Sequence, residues 1–258
     1  MSLVLQILRR LLAAASLDER RCAFCRGVYS PQSSSDAPFC PVCRSLLEPR
    51  NQDSCPRCGQ PLSVPAGPAP CGDCLTSPPP WRHFRFYAPY AGAFRSLLLR
   101  GKFRRDLAVL HLVGRLLAQA CADLPVPDAV VPVPLHPDRL RKRGFNQSQE
   151  LARPLAGFLG APLAPFLLRR PHPTRHQVGL SREERRANLH GAFRAHASVR
   201  GKTILLVDDT LTTGTTLRRA VEALLAQGAP AVDVAVAART PGVFPQSDSA
   251  RNPQGQPS

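Results

Sequence analysis

The sequence predicts an α/β fold, a parallel sheet with flanking helices, preceded by a small cysteine-rich metal module. Three observations predict it. Four C-x-x-C pairs crowd the first third of the chain, and short apolar runs alternate with amphipathic stretches after Trp81. The most apolar of those runs, Thr203 to Val207, leads into two acids and a threonine- and glycine-rich turn.

Along the chain, residues 1–20 come first. Leu3, Val4, Ile7, Leu8, Leu11 and Leu12 follow helical spacing, and Arg9 and Arg10 interrupt the apolar stretch with no basic region before it. This predicts an amphipathic helix packed on the body rather than an export signal. No run approaches the roughly 18 apolar residues of a bilayer span, so no stable membrane insertion is expected.

Residues 21–80 carry the pairs Cys22/Cys25, Cys40/Cys43, Cys55/Cys58 and Cys71/Cys74. Two thiolates on a tight turn grip one tetrahedral Zn²⁺ and leave two positions for a second pair. Sequential pairing gives two structural zinc sites, Cys22/Cys25/Cys40/Cys43 and Cys55/Cys58/Cys71/Cys74, and the spacing leaves a crossed pairing open. A disulfide framework is the rival, but without an export signal a reducing, cytoplasmic setting is expected, where disulfides are rare. Few large apolar residues accompany the cysteines, so metal must supply most of the folding energy, about 10–16 kcal/mol per site. Cys121 stands alone in an apolar helical stretch and reads as core.

Residues 81–242 form the α/β domain. Strands are expected at 84–90, 129–133, 203–207 and 232–238, and helices at 92–104, 106–122, 145–159 and 215–227, the last capped by Gly228. The tail at 243–258, rich in Pro, Gln and Ser, is expected to be disordered. Charge is uneven: residues 82–200 hold 21 basic and 7 acidic side chains, nearly all of the net +16. Such concentration favours a phosphate-bearing partner, a small polyphosphate or nucleic acid.

The chemistry of the turn after residue 207 follows from its residue types. Thr212, Thr213, Gly214 and Thr215 open a helix, whose unpaired N–H groups and hydroxyls suit a phosphate, and Thr210 is a further binding candidate in the same loop. Asp208 and Asp209 suit ribose hydroxyls, or a Mg²⁺ ion. Phosphate and ribose together make a ribose 5-phosphate. Should both carboxylates be locked in buried ion pairs, or the turn be blocked and far from any cleft, this reading collapses.

The segment Ile204 to Thr216, I-L-L-V-D-D-T-L-T-T-G-T-T, resembles the phosphoribosyl pyrophosphate signature of type I phosphoribosyltransferases. Val131 to Gln147, with its Arg-Gly-Phe-Asn-Gln end, and Gln177 to Phe193, with its Leu-Ser-Arg, narrow the resemblance to the ComF (competence protein F) family of double-zinc-ribbon phosphoribosyltransferases, from about Cys22 to Ala238. The resemblance implies phosphoribosyl pyrophosphate (PRPP) with Mg²⁺ at residues 208–215. It also implies pyrophosphate at the loop bearing Arg139 and Arg143, so that Asp208, Asp209, Arg139 and Arg143 would carry any catalysis. A mobile loop with Arg182, Arg185 and Arg186 is expected over the substrate, and His176 and His190 are read as incidental. A role in natural transformation, with single-stranded DNA and DNA-uptake proteins as partners, is implied as well. The alternatives are an active Mg²⁺-dependent phosphoribosyltransferase with an unidentified acceptor, and a non-enzymatic zinc-ribbon nucleic-acid-binding protein.

Overall fold

The computed structural model describes residues 19–30, 38–49, 53–62, 69–171 and 192–240. The helix expected in residues 1–20 lies outside them except for its last two positions, and the tail after residue 242 lies outside them entirely. Two compact units divide between Pro49 and Arg50. The division falls within the stretch 21–80 that the cysteine spacing marks as one module.

In the first unit a short antiparallel pair, β1 (Arg20–Arg21) with β2 (Val28–Tyr29), precedes the helix α1 (Pro41–Leu46). Cys40 is the N-cap of α1, and Pro41 sits at its first position, where the missing N–H costs nothing.

The second unit begins with the second cysteine turn and the helix α2 (Gly72–Thr76). There follow β3 (Phe84–Pro89), α3 (Gly92–Arg104), α4 (Leu107–Ala120), β4 (Ala129–Pro132), α5 (Pro137–Arg143) and α6 (Gln147–Leu159). A small antiparallel pair, β5 (Leu168–Arg169) with β6 (Arg194–Ala195), precedes β7 (Ile204–Leu211), α7 (Thr215–Ala226) and β8 (Val232–Arg239). The central sheet has the order β3-β8-β7-β4 and every pairing in it is parallel. Gly228, at φ +100°, follows the last turn of α7 as expected.

Two-residue alternation in the strands explains the layering. Ile204, Leu206, Val234, Val236, Phe84 and Phe86 join Ala220, Val221 and Leu224 of α7 in one core cluster. The intervening residues, among them Leu205, Val207, Ala235 and Ala237, are buried toward the other face, where α4 lies on β3 and β8 and α6 on β4 and β7. Helices α4 and α6 pack closely because Gly114 lacks a side chain; a Cβ there would lie 2.4 Å from the Leu151 carbonyl oxygen. Asp106 caps α4 by accepting from the Val109 N–H (3.2 Å), and Asn146 caps α6 by accepting from the Ser148 N–H (3.1 Å). Cys121 is fully buried at the end of α4, as its apolar context predicts. Among the described residues no helix is long and apolar enough to cross a membrane.

Two differences from the sequence pattern have physical causes. The stretch after β4 is not all loop: residues 137–143 form α5, started by Pro137 and by His136, whose Nδ1 accepts from the Asp138 N–H (3.3 Å). Its three basic residues in the last turn, Arg141, Lys142 and Arg143, complement the helix dipole. And β7 does not stop at Val207. The ladder continues with Asp208 opposite Val236, Thr210 opposite Ala238 and Leu211 opposite Arg239, because β8 offers partners that far.

Candidate functional site

At the carboxyl edge of the parallel sheet β7 delivers Asp208 and Asp209, and the chain turns through Thr212 to Gly214 into α7. Ligands of open α/β sheets bind at this edge. Gly214 is the N-cap at φ +80°, a left-handed conformation that side chains resist, and no side chain caps the first turn of α7. The N–H groups of that turn are therefore left to a ligand or water. Thr212, Thr213, Thr215 and Thr216 are exposed, and the hydroxyls of Thr213 and Thr215 lie 3.1 Å apart. The turn is not blocked.

The two acids are less open than their types suggest. Asp208 is buried; its Oδ1 accepts from the Ser148 hydroxyl on α6 (2.7 Å) and from the Asp209 N–H (2.8 Å). Burial pushes its carboxyl up to about 6, with the Ser148 hydroxyl, Lys102 and Arg170 pulling the other way. Asp209 is buried too, and its Oδ2 forms an ion pair with Lys102 Nζ without a directed hydrogen bond. Lys102, near the end of α3, also donates to Thr210 Oγ1 (3.3 Å). Burial pushes its ammonium down to about 8, against the attraction of Asp208, while Arg143 lowers it further. One of the two carboxylates, Asp209, is thus held in a buried ion pair of the kind that would sink a ribose site, whereas Asp208 is held by hydrogen bonds. A polyol reaches Asp209 only after Lys102 moves.

Lys102 also lines a cavity of about 390 Å³ with Phe103, Arg105, Arg139, Lys142 and Arg143. The structure thus gathers Arg139 and Arg143, from α5, beside the lysine paired with Asp209. Arg143 donates to Gln147 Oε1, and its guanidinium lies 5.8 Å from the centre of the Phe103 ring. Burial and the neighbouring Arg139 both lower its pKa. A larger cavity, about 760 Å³, lies on the other side of α5; Phe145, Asn146, Gln149, Phe166 and Arg170 are among its walls. Arg182, Arg185, Arg186, His176 and His190 lie outside the described residues.

The eight cysteines form two sets, Cys22/Cys25/Cys40/Cys43 and Cys55/Cys58/Cys71/Cys74, with all sulfurs of a set within 4.8 Å of one another. Pairing is sequential, and the crossed arrangement does not occur. None of the nine cysteines is in a disulfide. Four thiols gathered at this spacing fit tetrahedral Zn²⁺ with every position filled by protein, a structural rather than catalytic arrangement.

Sequence reasoning did not single out Lys102, Ser148 or Arg170. Lys102 is 108 positions from Thr210, and nothing local marks one lysine of an arginine-rich helix as a partner of the acids.

Comparison with known proteins bears on this geometry. Residues 109–247 match the model of the phosphoribosyl transferase domain, and residues 17–75 that of the double zinc ribbon domain. The chain is 37% identical over 190 residues to the DNA utilization protein YhgH of Escherichia coli K12, covering 71% of this chain and 83% of that one. It is 33% identical over 173 residues to competence protein F of Haemophilus influenzae, covering 64% and 76%. With competence protein ComFC of Bacillus subtilis the identity is 31% over 193 residues, covering 66% and 71%. A type I phosphoribosyltransferase fold, two four-cysteine ribbon sites and these relatives together place the chain in the ComF family of double-zinc-ribbon phosphoribosyltransferases.

Proposed function

We propose that the edge formed by β7, α5 and the end of α3 binds PRPP with Mg²⁺, and that the protein serves DNA uptake in natural transformation from the cytoplasm. The observation that carries the first part is one junction. An exposed, uncapped helix start and two acids meet, through Lys102, a cavity walled by Arg105, Arg139, Lys142 and Arg143.

The roles follow from chemistry. The 5-phosphate takes the N–H groups and hydroxyls of Thr212 to Thr216. The pyrophosphate takes Arg139 and Arg143, whose planar donors suit bidentate contact with its oxygens. Lys102 exchanges Asp209 for pyrophosphate, which gives its ammonium a richer anion and opens the acid to ribose or to the metal. Asp208 and Asp209 would hold Mg²⁺, which when bound would neutralise part of the pyrophosphate charge. Calorimetric titration with PRPP and Mg²⁺ tests this: micromolar binding is expected for the wild type and near loss for Asp208→Asn/Asp209→Asn. Equal binding by both proteins, or none by the wild type, overturns it.

The biological part draws on the relatives, named for DNA utilization and competence, and on the excess positive charge of residues 82–200. Single-stranded DNA is the proposed partner, together with DNA-uptake proteins. Its affinity should fall steeply with salt, because phosphate contacts release counterions; a gel shift insensitive to salt contradicts it.

A second reading, turnover, is favoured by the 760 Å³ cavity on the far side of α5, large enough for an acceptor. Positioning and charge stabilisation by Arg139, Arg143 and the acids would then supply the rate. Release of pyrophosphate on addition of nucleobases is the measurement, and silence across a broad panel leaves binding alone.

A further inference from the structure

We propose that Arg239 is a positioning residue that ties the phosphate turn to the second cysteine knuckle, so that metal at Cys55, Cys58, Cys71 and Cys74 sets the order of residues 212–216. The inference deepens the reading of that turn as a sugar-phosphate site by naming what holds it.

Arg239 ends β8 opposite Leu211, and the Thr240 N–H donates to the Leu211 carbonyl (2.9 Å), so its backbone lies beside the exit of β7. Its side chain is 1% exposed, an uncommon position for an arginine. Nε donates to the Cys58 carbonyl (2.9 Å), Nη2 to Gln60 Oε1 (3.1 Å), and Nη1 to the Thr212 carbonyl (3.1 Å) and to that of Thr240. One planar fork therefore holds a carbonyl inside the metal-binding turn and a carbonyl of the phosphate turn at fixed separation.

The knuckle end of this link is itself anchored in the body. Gly59, at φ +68°, sits where a Cβ would lie 2.8 Å from Phe84 and 2.9 Å from Phe86. Trp81 Nε1 donates to the Arg57 carbonyl (2.7 Å), and Cys55, Cys58 and Cys74 belong to the same buried cluster as Phe84, Phe86 and Leu211. The turn itself is closed by two short-range bonds, Cys55 N–H to Gln60 O and Gly59 N–H to Cys55 O, both 2.8 Å. So short a loop keeps its shape chiefly through the metal that gathers its thiolates. Four thiolates around a Zn²⁺ ion would leave the knuckle net negative, which complements a buried guanidinium. At the other end, Thr212 leads into a helix start that no side chain caps, so the carbonyl held by Arg239 is a fixed point from which Thr213 and Gly214 are presented.

Amide hydrogen exchange of residues 212–216, read with zinc content and with the amides of α4 as a control for global unfolding, tests the link without any ligand. Arg239→Lys, whose single ammonium cannot span four acceptors, should keep two zinc ions per chain and α4 protection while the turn exchanges about tenfold faster. Cys58→Ser should lose one zinc with the same loosening, and Cys25→Ser should lose the other with none. If Arg239→Lys does not fold, Gln60→Ala reads the same link as a smaller acceleration of about threefold. A turn exchanging at the wild-type rate in the Arg239 or Gln60 variant, or loosened equally by Cys25→Ser, overturns the proposal. A wild-type protein that fails to bind PRPP while its turn still responds to Arg239 overturns the functional reading alone.

Discussion

The two cysteine knuckles are the same turn built twice, in different surroundings. Cys22-Ala-Phe-Cys25-Arg26-Gly27 and Cys55-Pro-Arg-Cys58-Gly59-Gln60 close with matching bonds. The first cysteine N–H donates to the sixth residue's carbonyl (2.8 Å in both), and the fifth N–H to the first carbonyl (2.9 and 2.8 Å). The fifth residue is left-handed in both, Arg26 and Gly59 each at φ +68°. Each knuckle is completed by a short helix whose N-cap is a cysteine, Cys40 or Cys71. The difference lies in what the turn touches. Val28, Val42 and Leu46 around the first are exposed, whereas the second is part of the body's core. The matching bonds and dihedrals thus show one turn shape shared by both knuckles, and the second of them belongs to the buried cluster of the phosphoribosyltransferase domain. Where aromatic rings press on the fifth position, glycine is required; elsewhere an arginine tolerates the left-handed strain.

The comparison breaks first at the metal. Cys58→Ser should cost the body about 4–5 kcal/mol, lowering its denaturant midpoint while leaving it folded in buffer, whereas Cys25→Ser should leave that midpoint unchanged. Trp81, the chain's one tryptophan, lies buried against the second knuckle, so its emission should shift to the red in the first variant and stay put in the second. Equal shifts would erase the distinction. Gly59→Ala comes next: a Cβ pressed on Phe84 and Phe86 in a left-handed conformation should cost about 2–4 kcal/mol by urea unfolding. At the matching position Arg26→Gly relieves strain without opening a cavity, and a gain below about 1 kcal/mol is expected for the first unit.

A smaller effect sharpens the contrast between knuckle and phosphate site. Because burial raises the Asp208 pKa to about 6, the folded protein holds that proton more tightly than the unfolded chain. The ionised group therefore costs stability above pH 6, and the cost fades as pH falls toward the ordinary carboxylate range. Asp208→Asn should be most stabilised relative to wild type above pH 6 and lose that advantage by about pH 4. Urea midpoints of the two proteins that run parallel across this window would contradict the burial argument.

Much of this architecture is legible in the sequence because its signals are local. Apolar runs at 129–132, 204–207 and 232–238 mark strands, the cysteine spacing marks the knuckles, and Thr212 to Thr215 mark a helix start. The helix at 137–143 is the exception, because its arginine density, with Pro137 before it and Gly144 after it, reads as a loop. Long-range pairings carry no such signal. Lys102 reaches Asp209 and Arg239 reaches Cys58 only once the parallel sheet has brought distant segments to one edge, and each looks locally like an ordinary helix or strand terminus. For the same reason the residue types at 208–209 suggest two open acids, whereas folding pairs one with Lys102 and places the other under Ser148.

The direct test of the sugar-phosphate site is a footprint. Amide shift changes in ¹⁵N-labelled protein on addition of PRPP and Mg²⁺ should concentrate at Thr212 to Leu217 and at residues 137–146, with Lys102 responding and the first knuckle silent. Changes confined to other residues, or no changes at saturating ligand, would remove the site from this edge of the sheet.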